Sequence, residues 1–449
     1  MSWHPNVLVI GEPGSGKSVA AARDAIEFPG AAVILDPHKD SLAHLVLTHA
    51  EGNLLFDRIS DLDHFLGFDL LKPSVHPDPL RRMQEAQRRA QVFVEILMRR
   101  RGGELAAAPL MEEWIMGLLL LYLYQSTAKQ PDIIPYGFMP DTSEFRTLVR
   151  DCSLVEFKTK FAALEKLNPR ALRAEVGSAS RLINAVFRSP AFLKRCRTGF
   201  DLGKFLQSGG KLIVERGDEN EDVNRTIMGG ISMLVTEHCE SRPQPWPPVR
   251  IYLDECTNAR TAGNFEERKA GETRKYGLSW YFMCQWPNFP NGPEGFYQNC
   301  NRKEIFRTGH YELARKLAAM AAAGFPSSDE KSHADKVKEL ANAIVKFQPG
   351  QRLVTDRTGT RIEQVKMLTN PWIDWPGLGE AKVKEKLSWI QSRIEFQKID
   401  EPKSATSLPP ETPRLGKSRG DSSPARRLSR RAKKPVDGYA SSDDANEFT

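Results

Sequence analysis

The chain has 449 residues, 40% of them apolar and 27% charged, with a formal net charge of +7. That length supports two or three domains and a core that needs no cross-links, and the composition is that of a soluble globular protein, not a fibrous or membrane-embedded one. The six cysteines (Cys152, Cys196, Cys239, Cys256, Cys284 and Cys300) form no C-x-x-C pair and no zinc-site spacing with histidine, so reduced, buried thiols are expected. The charge is unevenly placed: residues 414–434 carry nine Lys/Arg against one acid, which leaves the rest of the chain near −1. Any nucleic-acid contact by the body must then come from local patches.

The first element is the apolar run Val7-Leu8-Val9-Ile10, followed by GEPGSGKS at 11–18 and the Ala-rich stretch 19–22. This is a phosphate-binding loop between a strand and a helix. Gly11, Gly14 and Gly16 let the backbone fold its N–H groups inward, and the helix directs its positive dipole end at the phosphates. Lys17 would reach the β/γ-phosphates of ATP, and Ser18 would hold Mg²⁺. The loop's contact set is Gly11, Glu12, Pro13, Gly14, Ser15, Gly16, Lys17, Ser18 and Val19. A glycine-rich turn with a chance Lys-Ser pair is the alternative, but the flanking strand and helix are the context the motif requires.

A second buried-type strand, 31–35, ends in Asp36-Pro37-His38, which places Asp36 and His38 near the ligand edge of an open sheet or, equally, in a strand-ending turn. Residues 53–56 read as a third strand. From 80 to 195 the pattern becomes helical: Met83, Ala86, Ala90, Phe93 and Leu97 share one helix face, and further helices are expected at 114–124, 154–167 and 170–187. Arg81, Arg82, Arg88, Arg89 and Arg99–Arg101 in this part form either a solvated face or a surface for DNA phosphates.

Strands then return at 211–215, 249–253, 278–284 and 303–307, with helices at 223–238 and 311–323 and a hairpin of 352–355 with 362–368. Such alternation predicts an α/β fold with a mainly parallel sheet covered by helices on both faces. The expected organisation is a nucleotide-binding domain in two parts, 1–79 and 196–398, around an all-helical insertion, 80–195, with a disordered basic tail, 399–449. The first strand starts within ten residues of Met1 and the apolar run 114–124 is too short to span a bilayer, so a cytoplasmic protein is expected.

The strand 249–253 ends in Asp254-Glu255. With a phosphate loop upstream, Asp254 would hold Mg²⁺ together with Ser18, and Glu255 would polarise the attacking water. Helix capping is the other use of such a pair. Gln285 closes the next strand, where its amide would sense the γ-phosphate. Arg274 lies eleven residues upstream of Gln285, away from its own loop, and is placed to reach a neighbour's nucleotide; Arg260, Arg268 and Arg307 are further candidates for that role. A surface Arg-Lys pair is the competing reading of Arg274.

GEPGSGKS, LDPHKD, IYLDE, TRKYGL and the CQ closing the next strand stand in the order seen in the FtsK/HerA superfamily of RecA-like motor ATPases. Over about residues 5–370 the chain most resembles the type IV secretion coupling proteins and their conjugative relatives. The resemblance implies that Lys17, Ser18, Asp254 and Glu255 bind and hydrolyse ATP with Mg²⁺, that Gln285 is a sensor, and that Arg274 acts in trans within a homo-hexamer. It also implies DNA translocation, with contacts mostly to the phosphate backbone. Phe347-Gln348-Pro349-Gly350-Gln351 resembles the family's PGQ turn. Neither the transmembrane helices usual in coupling proteins nor the N-terminal barrel of HerA-type proteins is seen, so docking on a separate membrane or secretion-channel partner is expected. A protein-secretion motor without DNA, and a nucleotide-gated adaptor with negligible turnover, are the alternatives.

Overall fold

The computed structural model describes residues 4–37, 42–98, 109–124, 142–217, 220–242, 247–254, 256, 264–285, 298–322 and 332–368. His38, Arg99–Arg101, Glu255, Arg260 and the segment 399–449 lie outside the described residues.

Strands β1 (Val7–Ile10), β2 (Ala31–Asp36), β4 (Lys211–Glu215), β5 (Val249–Leu253) and β6 (Leu278–Cys284) are buried at every position. Burial on both faces is why they read as continuous apolar runs without alternation. With β3 (Leu54–Arg58), β7 (Arg302–Phe306), β8 (Gln351–Asp356) and β9 (Gly359–Gln364) they build a nine-stranded sheet in the order β3-β4-β2-β5-β6-β1-β7-β8-β9. Strands β1 to β7 pair in parallel, and β8 and β9 close the sheet antiparallel. The mainly parallel α/β expectation is met. The hairpin differs from its sequence reading: Asp356 pairs with Gly359, so β9 starts at Gly359 and ends at Gln364. The turn is tightened by Asp356, which accepts from the Thr358 N–H and hydroxyl and pairs with Arg361 at 2.9 Å.

The helices of the sheet's own connections are α1 (Lys17–Glu27) and α2 (Leu42–His49). Between β3 and β4 every described element is a helix: α3 (Pro79–Met98), α4 (Pro109–Tyr124), α5 (Ser143–Asp151), α6 (Val155–Glu165), α7 (Pro169–Phe187), α8 (Pro190–Arg195) and α9 (Leu202–Gln207). After β4 come α10 (Glu221–Ser241), α11 (Asn264–Glu272), α12 (Tyr311–Ala322) and α13 (His333–Lys346).

The apolar stripe of α3 buries Ala86, Ala90, Phe93 and Leu97 against α4 and α10. Part of its polar side is paired within the chain, while Arg81, Gln84, Gln87 and Gln91 stay exposed. Arg88 pairs with Glu240, Arg89 with Glu237 at 3.0 Å, and Arg82 lies 5.1 Å from the centre of the Tyr124 ring. Three of the arginines that offered a DNA-facing surface thus knit α3 to its neighbours. Asp57 of β3 and Arg195 of α8 anchor the helices to the sheet edge through two contacts, of 2.5 and 3.0 Å, with both side chains fully buried.

Candidate active site

Because β1 to β7 run in parallel, their carboxyl ends lie along one edge, where open α/β sheets bind ligands. The loop 11–16 leaves that edge from β1. Gly11 donates to the Cys284 carbonyl at 3.2 Å and Glu12 to the Arg307 carbonyl at 3.0 Å, which pins the loop to both neighbouring strands. A Cβ on Gly11 would stand 2.6 Å from that of Phe306, so only glycine permits this approach.

Gly14 and Gly16 have φ of 73° and 105°. Gly16 is the N-cap of α1, which has neither a side-chain cap nor an acidic residue in its first turn. This helix start suits an anion. Lys17 donates Nζ to the Gly11 and Glu12 carbonyls at 2.7 and 2.9 Å, so its ammonium is drawn across the loop. Ser15 Oγ is buried with no hydrogen-bond partner. Uncapped helix, gathered loop and unpartnered hydroxyl together fit a phosphate chain. Pro13 and Gly14 form the exposed tip, while Ser18 and Val19 are half-buried on the first turn of α1.

Asp254 follows β5, is 4% exposed, and donates its N–H to the Leu35 carbonyl at 3.3 Å. The sheet order puts β6 alone between β5 and β1. Asp254 and the loop are thus separated by two strand spacings, about 10 Å. Gln285, half-buried at the end of β6, lies between them: Gly11 bonds the Cys284 carbonyl on one side, and Cys256 bonds the Met283 carbonyl on the other at 2.8 Å. The fold therefore brings Lys17, Ser18, Asp254 and Gln285 to one stretch of the edge.

Two other acids occupy this edge and are tied into the fold. Asp36 accepts the Ala43 N–H at 2.9 Å, which gives it the role of a turn and helix-start residue. Glu215 pairs with Arg58 at 2.7 Å and His44 at 3.2 Å. Burial acts to raise the Glu215 carboxyl, but His44 and Arg58 overcome it and hold the group below the usual glutamate range. Among the described residues no three of His, Cys, Asp or Glu form a metal cluster. A Mg²⁺ ion held by one carboxylate, one hydroxyl and substrate phosphates needs no such cluster, and Ser18 with Asp254 fits that donor set.

Arg274 lies in the 3-10 turn Thr273–Tyr276 before β6. It is at the opposite edge: the seven residues of β6 separate it from Gln285, about 23 Å. It donates to Asn301 and lines a cleft with Arg302, Asp356 and Arg357. Its own loop is out of its reach. Arg268 lies 3.6 Å from Glu95. Arg307, a sequence candidate for reaching a neighbour, instead pairs with Glu12 of its own loop. Sequence reasoning also gave no role to Gly350, whose N–H donates to the Ser15 carbonyl at 2.8 Å; only the PGQ pattern drew attention to it.

No protein-family model matches the sequence, and no curated protein matches it. Solved structures do. The bacterial conjugative coupling protein TrwBdeltaN70, unbound, is 13% identical with a TM-score of 0.56, over 81% of this chain and 85% of that one. The plasmid coupling protein TrwB in complex with ADP and Mg²⁺ is 14% identical with a TM-score of 0.56, over 82% and 87%. TrwB in complex with the ATP analogue ADPNP is 15% identical with a TM-score of 0.56, over 84% and 88%. Identity this low speaks to architecture alone, and on that evidence the chain has the RecA-like P-loop fold of the conjugative coupling protein TrwB.

Proposed function

We propose that this protein is an ATP-hydrolysing ring motor that translocates DNA, a member of the FtsK/HerA superfamily related to conjugative and type IV secretion coupling proteins. The observation that carries the reading is the meeting, at one sheet edge, of an uncapped phosphate loop with Gln285 and Asp254 on the ends of the next two strands to one side of it, β6 and β5. The nucleotides and Mg²⁺ named for TrwB support ATP and Mg²⁺ as the ligands here.

In this reading the loop N–H groups and Lys17 bind the phosphates, and Ser18 and Asp254 hold Mg²⁺. The bound ion would screen charge on the β- and γ-phosphates. Glu255 orients and deprotonates the attacking water, and Gln285 donates to the γ-phosphate region, linking its presence to the end of β6. Arg274, too far from its own loop, serves the nucleotide of the adjoining subunit in a homo-hexamer, where a guanidinium stabilises charge on the transferring phosphoryl group.

DNA is contacted mainly through its phosphates, with the basic segment 414–434 as a tether. Among the described residues no helix is long and apolar enough to cross a membrane. We place the motor in the cytoplasm, docked on a separate membrane partner. Cargo is tested by deleting residues 401–449: DNA affinity should fall and lose part of its salt dependence while basal turnover persists. An unchanged salt slope removes the tail from the DNA reading.

A further inference from the structure

A loop that gathers N–H dipoles for a polyphosphate carries, at its second position, a carboxylate. Left unbalanced, Glu12 would repel the ligand the loop is shaped for. The structure fixes that carboxylate from one direction. Glu12 Oε2 accepts the Gly309 N–H at 2.8 Å, Oε1 is paired with the Arg307 guanidinium, and the Glu12 N–H donates to the Arg307 carbonyl at 3.0 Å. All three contacts go to residues 307–309, the turn between β7 and α12.

Protonation does not relieve the charge. The Gly309 N–H, opposed by partial burial, and then Arg307 and Lys17 hold the Glu12 carboxyl below its ordinary range. Lys17 is turned onto the Gly11 and Glu12 carbonyls, leaving Arg307 as the cation on the carboxylate itself. Among the described residues Arg307 makes no other ion pair. The pair is partly exposed, with side-chain accessibilities of 37% for Arg307 and 30% for Glu12, so its worth lies in the local charge balance more than in stability.

We propose that Arg307 is a positioning residue for the nucleotide phosphates that acts through Glu12, cancelling its charge and holding the carboxylate towards the 307–309 turn. The inference rests on the nucleotide reading of the loop. It assigns Arg307 to its own subunit's site, and it makes the 307–309 turn part of the phosphate-binding structure.

The test is equilibrium binding of ATP, ADP and adenosine to the full chain with Mg²⁺ present, at low and high salt, for Arg307→Ala, Arg307→Lys, Glu12→Gln and the double variant Glu12→Gln/Arg307→Ala. Melting temperatures without ligand check folding. Arg307→Ala should weaken ATP binding about tenfold, ADP binding less and adenosine binding not at all, with the loss shrinking at high salt. Glu12→Gln in the same chain should restore ATP binding to within about threefold, and Arg307→Lys should retain most of it.

A double variant as weak as Arg307→Ala would mean that Arg307 acts on the phosphates directly or only props the turn, and overturns the inference. So would unchanged binding by Arg307→Ala. Should Arg307→Ala not fold, Glu12→Gln alone decides: tighter ATP binding supports the account and looser binding overturns it. An unaltered chain that binds no nucleotide removes the nucleotide reading and the inference together, whereas normal binding with unresponsive variants removes the inference alone.

Discussion

The Gly350 N–H donates to the Ser15 carbonyl at 2.8 Å, so the turn that opens the closing hairpin rests on the phosphate loop more than three hundred residues earlier in sequence. The fit is close on both sides. A Cβ on Gly16 would stand 2.9 Å from the Gly350 nitrogen, and one on Gly350 would meet Gln364 Nε2 at 2.7 Å. Gly350 also has φ of 84°. Gly350→Ala should cost about 1–3 kcal/mol and shrink the rise in melting temperature produced by nucleotide. A full ligand-induced rise in this variant would show that the turn does not hold the loop.

Lys17 and Glu255 are expected to separate binding from turnover. Lys17→Ala should lose nucleotide binding or hydrolysis. Glu255→Gln should keep binding yet lower turnover by about 10²–10⁴, the range typical of a removed general base. A Glu255→Gln chain that hydrolyses ATP at the normal rate would point to a different base; one whose biological function persists without turnover would favour the adaptor.

Arg274 and Glu255 should complement each other across a subunit boundary. Each of Arg274→Ala and Glu255→Gln is inactive alone, and mixing them should recover part of the turnover, because one of the two kinds of mixed interface in the ring has both groups intact. Mixed rings that assemble, as seen by native mass measurement, but hydrolyse nothing would rule against a trans arginine.

Asp57 and Arg195 make a fully buried bidentate pair at the edge strand β3. Truncating one partner leaves the other charge buried, so Asp57→Ala should lower stability by about 3–5 kcal/mol in urea unfolding. A loss under about 1 kcal/mol would show that the anchor between the helices and the sheet is dispensable.

Acid should destabilise the fold. Burial opposes but does not outweigh the cations that hold Glu215 and Glu240 below the ordinary glutamate value of 4.5. A carboxylate with a depressed folded pKa contributes stability that is complete above its unfolded pKa and lost as pH falls through the folded value. Stability should therefore be flat in this respect above about pH 5 and decline below about 4.5. Melting curves between pH 7 and 3 check it, and a flat profile would contradict these pairs.

The strands were legible because burial on both faces turns β1, β2, β4, β5 and β6 into short apolar runs, and the phosphate loop was legible because its glycines, lysine and serine are contiguous. Helices α2, α5, α8, α9 and α11 were not read: at six to nine residues they give about two and a half turns or fewer of periodic signal. Helix α13 had a usable signal, since Ser332 caps it by accepting the Asp335 N–H at 3.2 Å. Strand order was not written locally. That Gln285 would fall between Asp254 and the loop, and Arg307 against Glu12, follows from which strands pair, and this is settled by long-range packing. The arginines of α3 show the same limit, because a charged helix face looks alike in sequence whether its partners are water, DNA or Glu237 and Glu240.

The most direct test of the central claim is ATP hydrolysis by the purified full chain, alone and with single- or double-stranded DNA, beside Lys17→Ala. Mg²⁺-dependent turnover that DNA stimulates strongly, and that Lys17→Ala abolishes, is the predicted result. Turnover indifferent to either form of DNA would contradict the DNA motor and favour a protein-secretion motor, and full turnover by Lys17→Ala would contradict the assignment of the loop itself.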